Sequence, residues 1–115
     1  MSRHYAHSVV RLRAPLAADR YGNKVRDWTA PARLPVAGVN VQPSGSPPQS
    51  DEHTTTRQTT ITGWRLYTRP GMDLDLVETD RIEYGGMVLE VDGKVGRWRI
   101  NGRVHHVEAG LREVD

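Results

Sequence analysis

The sequence predicts an all-β fold: a small β-barrel with a long polar loop or hairpin arm. Three observations lead there. Turn chemistry recurs along the chain, with 11 Gly and 7 Pro in 115 residues. There is no Phe, but 3 Trp, 4 Tyr and many Val and Thr, a mixture that suits half-buried strands better than helices. The third observation is the stretch from Asp80 to Glu113, where Asp92-Gly93 and Asn101-Gly102 sit between alternating apolar residues. Asx-Gly pairs favour two-residue type I′ turns, which need positive φ at both central positions.

Taken in order, His7 to Arg13 reads as a first strand, with Val10 and Leu12 on one face and Val9, Arg11 and Arg13 on the other. Ala14-Pro15 ends it, Ala18 to Asn23 is a turn region, and Lys24 to Trp28 is a short strand expected to pair back onto the first. Leu34 to Gln42 is a further strand, with Val36, Val39 and Val41 as its apolar members and a bulge expected at Gly38. Ile61 to Arg69 sets Trp64 and Leu66 against Arg65 and Tyr67. Leu74 and Leu76 alternate with Asp73 and Asp75 too briefly to choose helix or strand, and Leu111 and Val114 end in a strand or a docked tail.

Hairpins at both Asx-Gly pairs would make the stretch from Asp80 to Glu113 a three-stranded meander. That register places Met87, Leu89, Val91, Trp98, Ile100, His105 and Val107 on a core-facing wall. Val88, Glu90, Val95, Arg97, Arg99, Val104 and His106 form the wetter face, with Glu90 diagonal to Arg97. The expected core is Trp64, Leu66, Leu89, Val91, Trp98 and Ile100.

The chain is long enough for one core, with little surplus for a deep substrate cleft. Its charges nearly balance, 16 basic against 14 acidic residues, which gives no outright nucleic-acid signal. The lack of Cys removes disulfides, thiol catalysis and thiolate metal sites, and fits synthesis in a reducing cytoplasm. No apolar run approaches the ~20 residues of a membrane span, and Met1 to Tyr5 does not resemble a secretory signal. No membrane partner is expected.

Pro43 to Thr60 differs from its surroundings. From Pro43 to Glu52 it has no apolar side chain of any size, so burial cannot offset the entropy of ordering it. A flexible segment is expected, for which a tolerated surface insertion and a functional arm are both open readings.

Catalytic and metal-binding motifs are missing. His105 and His106 are adjacent in a strand and expected on opposite faces, so regular geometry does not let them share an ion. His4 and His7 would share a face only in a helix, and His53 lies in the polar tract. No nucleophile elbow, P-loop, zincin or dinucleotide fingerprint occurs, and Gly85-Gly86 is better explained as a turn or bulge than as a phosphate loop. The expectation is a non-enzyme without cofactor or metal. The meander register also separates Trp98 from Arg97 and Arg99, whereas a base-stacking platform needs aromatic and basic groups on one exposed face.

The features, taken in sequence, resemble a known family. They are Asp19-Arg20-Tyr21-Gly22-Asn23 and Asp27-Trp28 after the first strand, then Val41-Gln42-Pro43, the polar tract with Arg57, and Trp64-Arg65-Leu66-Tyr67. Asp80-Arg81-Ile82 and Leu89-Glu90-Val91-Asp92-Gly93 with Trp98 complete the series. Together they resemble the head closure (stopper) proteins of long-tailed bacteriophages, also called head-to-tail connector proteins. The abundance of Arg is similar to that of phages infecting high-GC actinobacterial hosts.

That resemblance implies a single connector domain over residues 1–115 with a loop insertion at 42–58. It implies a virion protein of the neck, made in the bacterial host cytoplasm, that forms a homo-oligomeric ring, a hexamer in this family. Its partners would be the portal-adaptor ring, the tail terminator or tail tube, and the double-stranded genomic DNA retained in the capsid. The family's long loop projects into the channel, which assigns a gate role to Gln49, Ser50, Asp51, Glu52, His53 and Arg57. A tail-completion protein or other neck component remains an alternative. From other classes, a single-strand nucleic-acid-binding barrel would need exposed aromatics beside arginines, and a small β hydrolase would need acids converging in a pocket.

Overall fold

A computed structural model describes residues 5–44 and 63–114. Within them the strands are β1 (His7–Arg13), β2 (Leu16–Ala18), β3 (Lys24–Arg26), β4 (Ala32–Pro43), β5 (Trp64–Thr68), β6 (Arg81–Tyr84), β7 (Met87–Ile100) and β8 (Arg103–Glu113). The described residues contain no α-helix. In the spatial order β1-β4-β5-β8-β7-β6 the strands close into a barrel, while β2 and β3 form a separate two-stranded ribbon. Every pairing is antiparallel. The β1–β6 seam, Val10 opposite Glu83 through Leu12 opposite Arg81, removes the open edge that a sheet of this size would otherwise present.

The interior follows from alternation. Val39, Leu66, Ile82, Leu89, Val107 and Ala109 are completely buried, each the inward member of its strand. Burying an aliphatic side chain of this size contributes about 1.5–3 kcal/mol, so this layer is the principal stabilising element. Val36 and Val39 can both point inward only because β4 is bulged between them. His7 opposes Val39 and Ser8 opposes Ala37, so Gly38 is the extra residue, and its φ of 78° is one that glycine adopts freely.

Because neighbours are antiparallel, loops fall alternately at the two barrel ends. The β4–β5 connection and the Gly85-Gly86 turn lie at one end. The β2–β3 ribbon, the connection from Arg69 to Asp80, and the β7–β8 turn lie at the other. The 69–80 connection has no strand, yet Leu74 and Leu76 insert into the core and close that end.

Several expectations need correction. Asp92-Gly93 is not a hairpin turn. Gly93 has a φ of 88°, but the chain runs on in β7, with a register irregularity between Asp92 and Gly96. The first turn of the meander is instead Gly85-Gly86, with φ values of 58° and 82°; the second is Asn101-Gly102 as expected, with φ values of 53° and 78°. A two-residue turn reverses the chain, whereas a bulge does not, so the distal part of β7 is inverted relative to the expected register. Arg97 opposes the buried Val107, and Trp98 and Ile100 point outward, each 57% exposed, instead of lying in the core.

Leu66, Leu89 and Val91 are buried as expected, and Trp64 packs half-buried against the same cluster. Glu90 accepts from Arg112 Nε at 2.6 Å instead of facing Arg97. Lys24 to Arg26 pairs with β2 and not with the first strand. On β1 it is Val9 that joins the barrel cluster, while Leu12 is buried apart from it.

Candidate functional site

The polar tract leaves and re-enters the barrel at one point. Pro43 opposes Trp64 across the β4–β5 ladder, and beyond that pair the Ser44 amide donates to the Gly63 carbonyl at 2.8 Å. Residues 45–62 are therefore attached to two neighbouring strand ends already held together by the sheet. Gln42 and Pro43 belong to β4. The gate residues Gln49, Ser50, Asp51, Glu52, His53 and Arg57 lie outside the described residues.

At the opposite end, arginines hold the strandless connection. Arg13 donates to both oxygens of Asp80, from Nε and Nη2 at 2.8 Å each, and the Asp80 side chain is wholly buried. Asp80 Oδ2 also accepts from the Val77 amide at 2.9 Å. Arg11 donates to the Asp75 carbonyl at 2.9 Å, and Arg97 donates to the carbonyls of Leu74 and Leu76 at 3.1 and 3.0 Å. A segment without a β-ladder needs such donors for its buried carbonyls. The hydrogen bond from Arg13 holds the Asp75 carboxyl below its usual range. Bonds to Asp80 and Asp75 push the Arg13 guanidinium above its usual value, so it stays charged.

Beyond the barrel, β7 and β8 continue as a two-stranded arm. Strand β6 pairs with β7 only from Met87 to Glu90, and β5 pairs with β8 only from Glu108 to Leu111. Between Asp92 and Glu108 the sequence has Lys94, Arg97, Arg99 and Arg103 and no acid. His106 opposes Trp98 and Val104 opposes Arg99, which leaves His105 as a bulged residue. The bulge breaks strict alternation and corrects the expectation that His105 and His106 are separated: their Nδ1 atoms are 2.9 Å apart. His106 Nε2 lies 2.7 Å from Glu108 Oε2, and Arg65 donates to Glu108 Oε1 at 3.1 Å. With Nε2–H directed at Glu108, a neutral His106 accepts at Nδ1 and His105 donates. Partial burial pushes the Glu108 carboxyl up, but the bonds from His106 and Arg65 outweigh it and leave the group below its usual value.

The same bulge sets the arm's outward face. Trp98 stacks on His106 with ring centroids 6.0 Å apart and planes inclined by 12°. Ile100 opposes Arg103, so Trp98, Ile100, Arg103 and His106 share one surface. As expected, Trp98 lies on the face opposite Arg97 and Arg99, but Arg103 joins it from β8. Sequence reasoning missed this surface because its local signal, an Asp-Gly pair inside a strand, is indistinguishable from a hairpin turn.

For chemistry the described residues offer little that converges. Asp73 pairs with Arg97, Asp75 with Arg11 and Arg13, and Asp80 with Arg13, so these acids are held by guanidinium groups. No cluster of three or more metal-ligating side chains occurs among the described residues.

No family model and no curated protein matches the chain. Solved structures do match in fold. A chain from the virion of a native gene transfer agent particle has a TM-score of 0.55 at 17% identity, covering 98% of both chains. The protein SF1141 from Shigella flexneri 2a has a TM-score of 0.57 at 17% identity, covering 98% of this chain and 96% of that one. The phage-like element PBSX protein xkdH from Bacillus subtilis is a looser likeness, at TM-score 0.44 and 17% identity over 93% and 92% of the chains. At such identities the likeness to the first two is one of fold, extending over nearly the whole of each chain.

Proposed function

We propose that the chain is a structural virion protein of the phage neck, a head closure protein whose ring joins the portal-adaptor ring to the tail and retains packaged DNA. The observation that carries this reading is the barrel itself, shared along 98% of both chains with a component of a gene transfer agent virion. The bound ends of the polar tract support it further. Because Ser44 and Gly63 are tied at one barrel end, the two strands that carry residues 45–62 are held together by their own ladder, as a gate mounted on a rigid rim requires. In this reading Asp51 and Glu52 repel the phosphates, Arg57 attracts them, and the balance lets DNA slide. The chain acts as scaffold and gate and not as an enzyme.

Reconstruction of particles carrying the protein tests the assignment. A ring of this barrel between portal-adaptor and tail supports it, whereas density in the capsid shell or at the distal tail removes it. A second reading, a single-strand nucleic-acid-binding barrel, is favoured by the exposure of Trp98 beside Arg103. Titration with short oligonucleotides separates the two, since only the second demands salt-dependent quenching of the indole.

A further inference from the structure

We infer that the β7–β8 arm is a docking surface for duplex DNA, its tip entering the major groove between the two phosphate walls. The inference goes beyond the neck reading and does not rest on it, since it concerns the barrel end away from residues 45–62. Charge carries it. Arg11, Arg13, Arg33, Arg65, Arg97 and Arg112 are each paired with a carboxylate. Lys94, Arg99 and Arg103 on the arm are exposed and form no ion pair or side-chain hydrogen bond among the described residues. No acid lies between Asp92 and Glu108 to offset them. In a chain whose net charge is only +2, that concentrates positive potential on one projection, and a polyanion is the partner it complements.

Shape selects the duplex among polyanions. No third strand pairs with β7 beyond Glu90 or with β8 before Glu108, so the arm is a two-stranded ribbon. Such a ribbon is about 10 Å thick with its side chains, and the major groove of B-DNA, about 12 Å wide, admits it. Arg99 opposes Val104 and Ile100 opposes Arg103, so the two arginines project from opposite faces of the ribbon. Each therefore reaches toward one wall of phosphates. Ile100, exposed beside Arg103, presents an apolar group to the thymine methyls that line the same groove. A single strand is held instead by a series of stacked rings, and Trp98 is the only Trp, Tyr or Phe between Asp92 and Glu108.

Fluorescence anisotropy of a labelled DNA duplex of about 20 base pairs, titrated with the full-length protein across a salt series, tests the assignment. Three cations on phosphates predict a slope of log K against log salt of about −2.7, so a roughly fourfold rise in salt should weaken binding about 40-fold. Arg99→Gln should remove about one unit of that slope. The triple variant Lys94→Gln, Arg99→Gln, Arg103→Gln should abolish duplex binding with its urea midpoint unchanged, because these side chains hold nothing in the fold. Arg33→Gln, which removes a cation from the barrel wall, should bind as wild type does. Wild-type protein that fails to bind the duplex at low salt overturns the proposal. So does binding that survives the triple variant, or that Arg33→Gln weakens as much as Arg99→Gln does. Tighter binding of the corresponding single strand, with quenching of the Trp98 indole, would assign the arm to single strands and equally overturn it. Each of these outcomes leaves the neck reading to be decided by particle reconstruction.

Discussion

Trp98 and Leu66 mark the two extremes of what one side chain does here. Leu66 is wholly buried in the barrel, so Leu66→Ala should cost roughly 2–5 kcal/mol as a cavity-forming change. Trp98 lies on the arm's outer face, more than half exposed and stacked on His106, so Trp98→Ala should cost less than about 1 kcal/mol. Urea unfolding of the two variants measures both, and a Trp98 loss as large as that of Leu66 would mean that the outward register is wrong. Asp80 is the most consequential charged residue. Asp80→Asn weakens a bidentate bond to Arg13 from a fully buried carboxylate. The expected loss is roughly 2–4 kcal/mol, below the top of the buried-pair range because Arg13 is a third exposed and can rehydrate. Acid should act through Asp75 and Glu108, whose folded values lie below the ordinary 3.8 and 4.5. Their stabilisation is complete above those ordinary values and is lost as pH falls through the lower folded ones. The urea midpoint should therefore hold near neutrality and drop below about pH 4.5, less steeply in Glu108→Gln than in wild type.

Glycines set the shape of the elements, and two of them separate backbone strain from contact. Gly38 and Gly93 have φ values of 78° and 88°, so Ala at either pays the left-handed penalty of about 1–2 kcal/mol. Only at Gly38 would the new Cβ also meet a neighbour, Arg69, so Gly38→Ala should be the more destabilising of the two; comparable midpoints would mean that Arg69 moves aside freely. These positions also explain how far the fold was legible in the sequence. The bulge at Gly38 was readable because Val36 and Val39 are both apolar and break a period of two. The Asn101-Gly102 hairpin was readable because its turn chemistry and flanking alternation agree. Asp92-Gly93 carried the same local signal, but the chain continues through it, and whether positive φ at a glycine makes a turn or a bulge is decided by partners distant in sequence. Here those partners are Gly110 and Glu108 on β8. A second bulge, at His105, has no glycine to announce it, which is why His106 was not expected opposite Trp98.

For the whole molecule, closure of the barrel matters more than any one loop. The β4 and β5 ends are joined by their own ladder through Pro43 and Trp64, with the Ser44–Gly63 bond beyond it. Replacing residues 45–62 with a short Gly-containing turn should leave the urea midpoint unchanged or raise it slightly, because closing a shorter loop costs less entropy. The architecture was legible from turn spacing and strand composition. The tract was legible as an outlier by its lack of apolar side chains, although its job follows from neither. The central claim, that this barrel gates packaged DNA, is tested most directly by building the same tract replacement into particles and measuring nuclease-protected DNA before tail attachment. The account predicts assembled heads that lose their DNA while the isolated barrel stays folded. Heads that keep their DNA as well as wild type would contradict it.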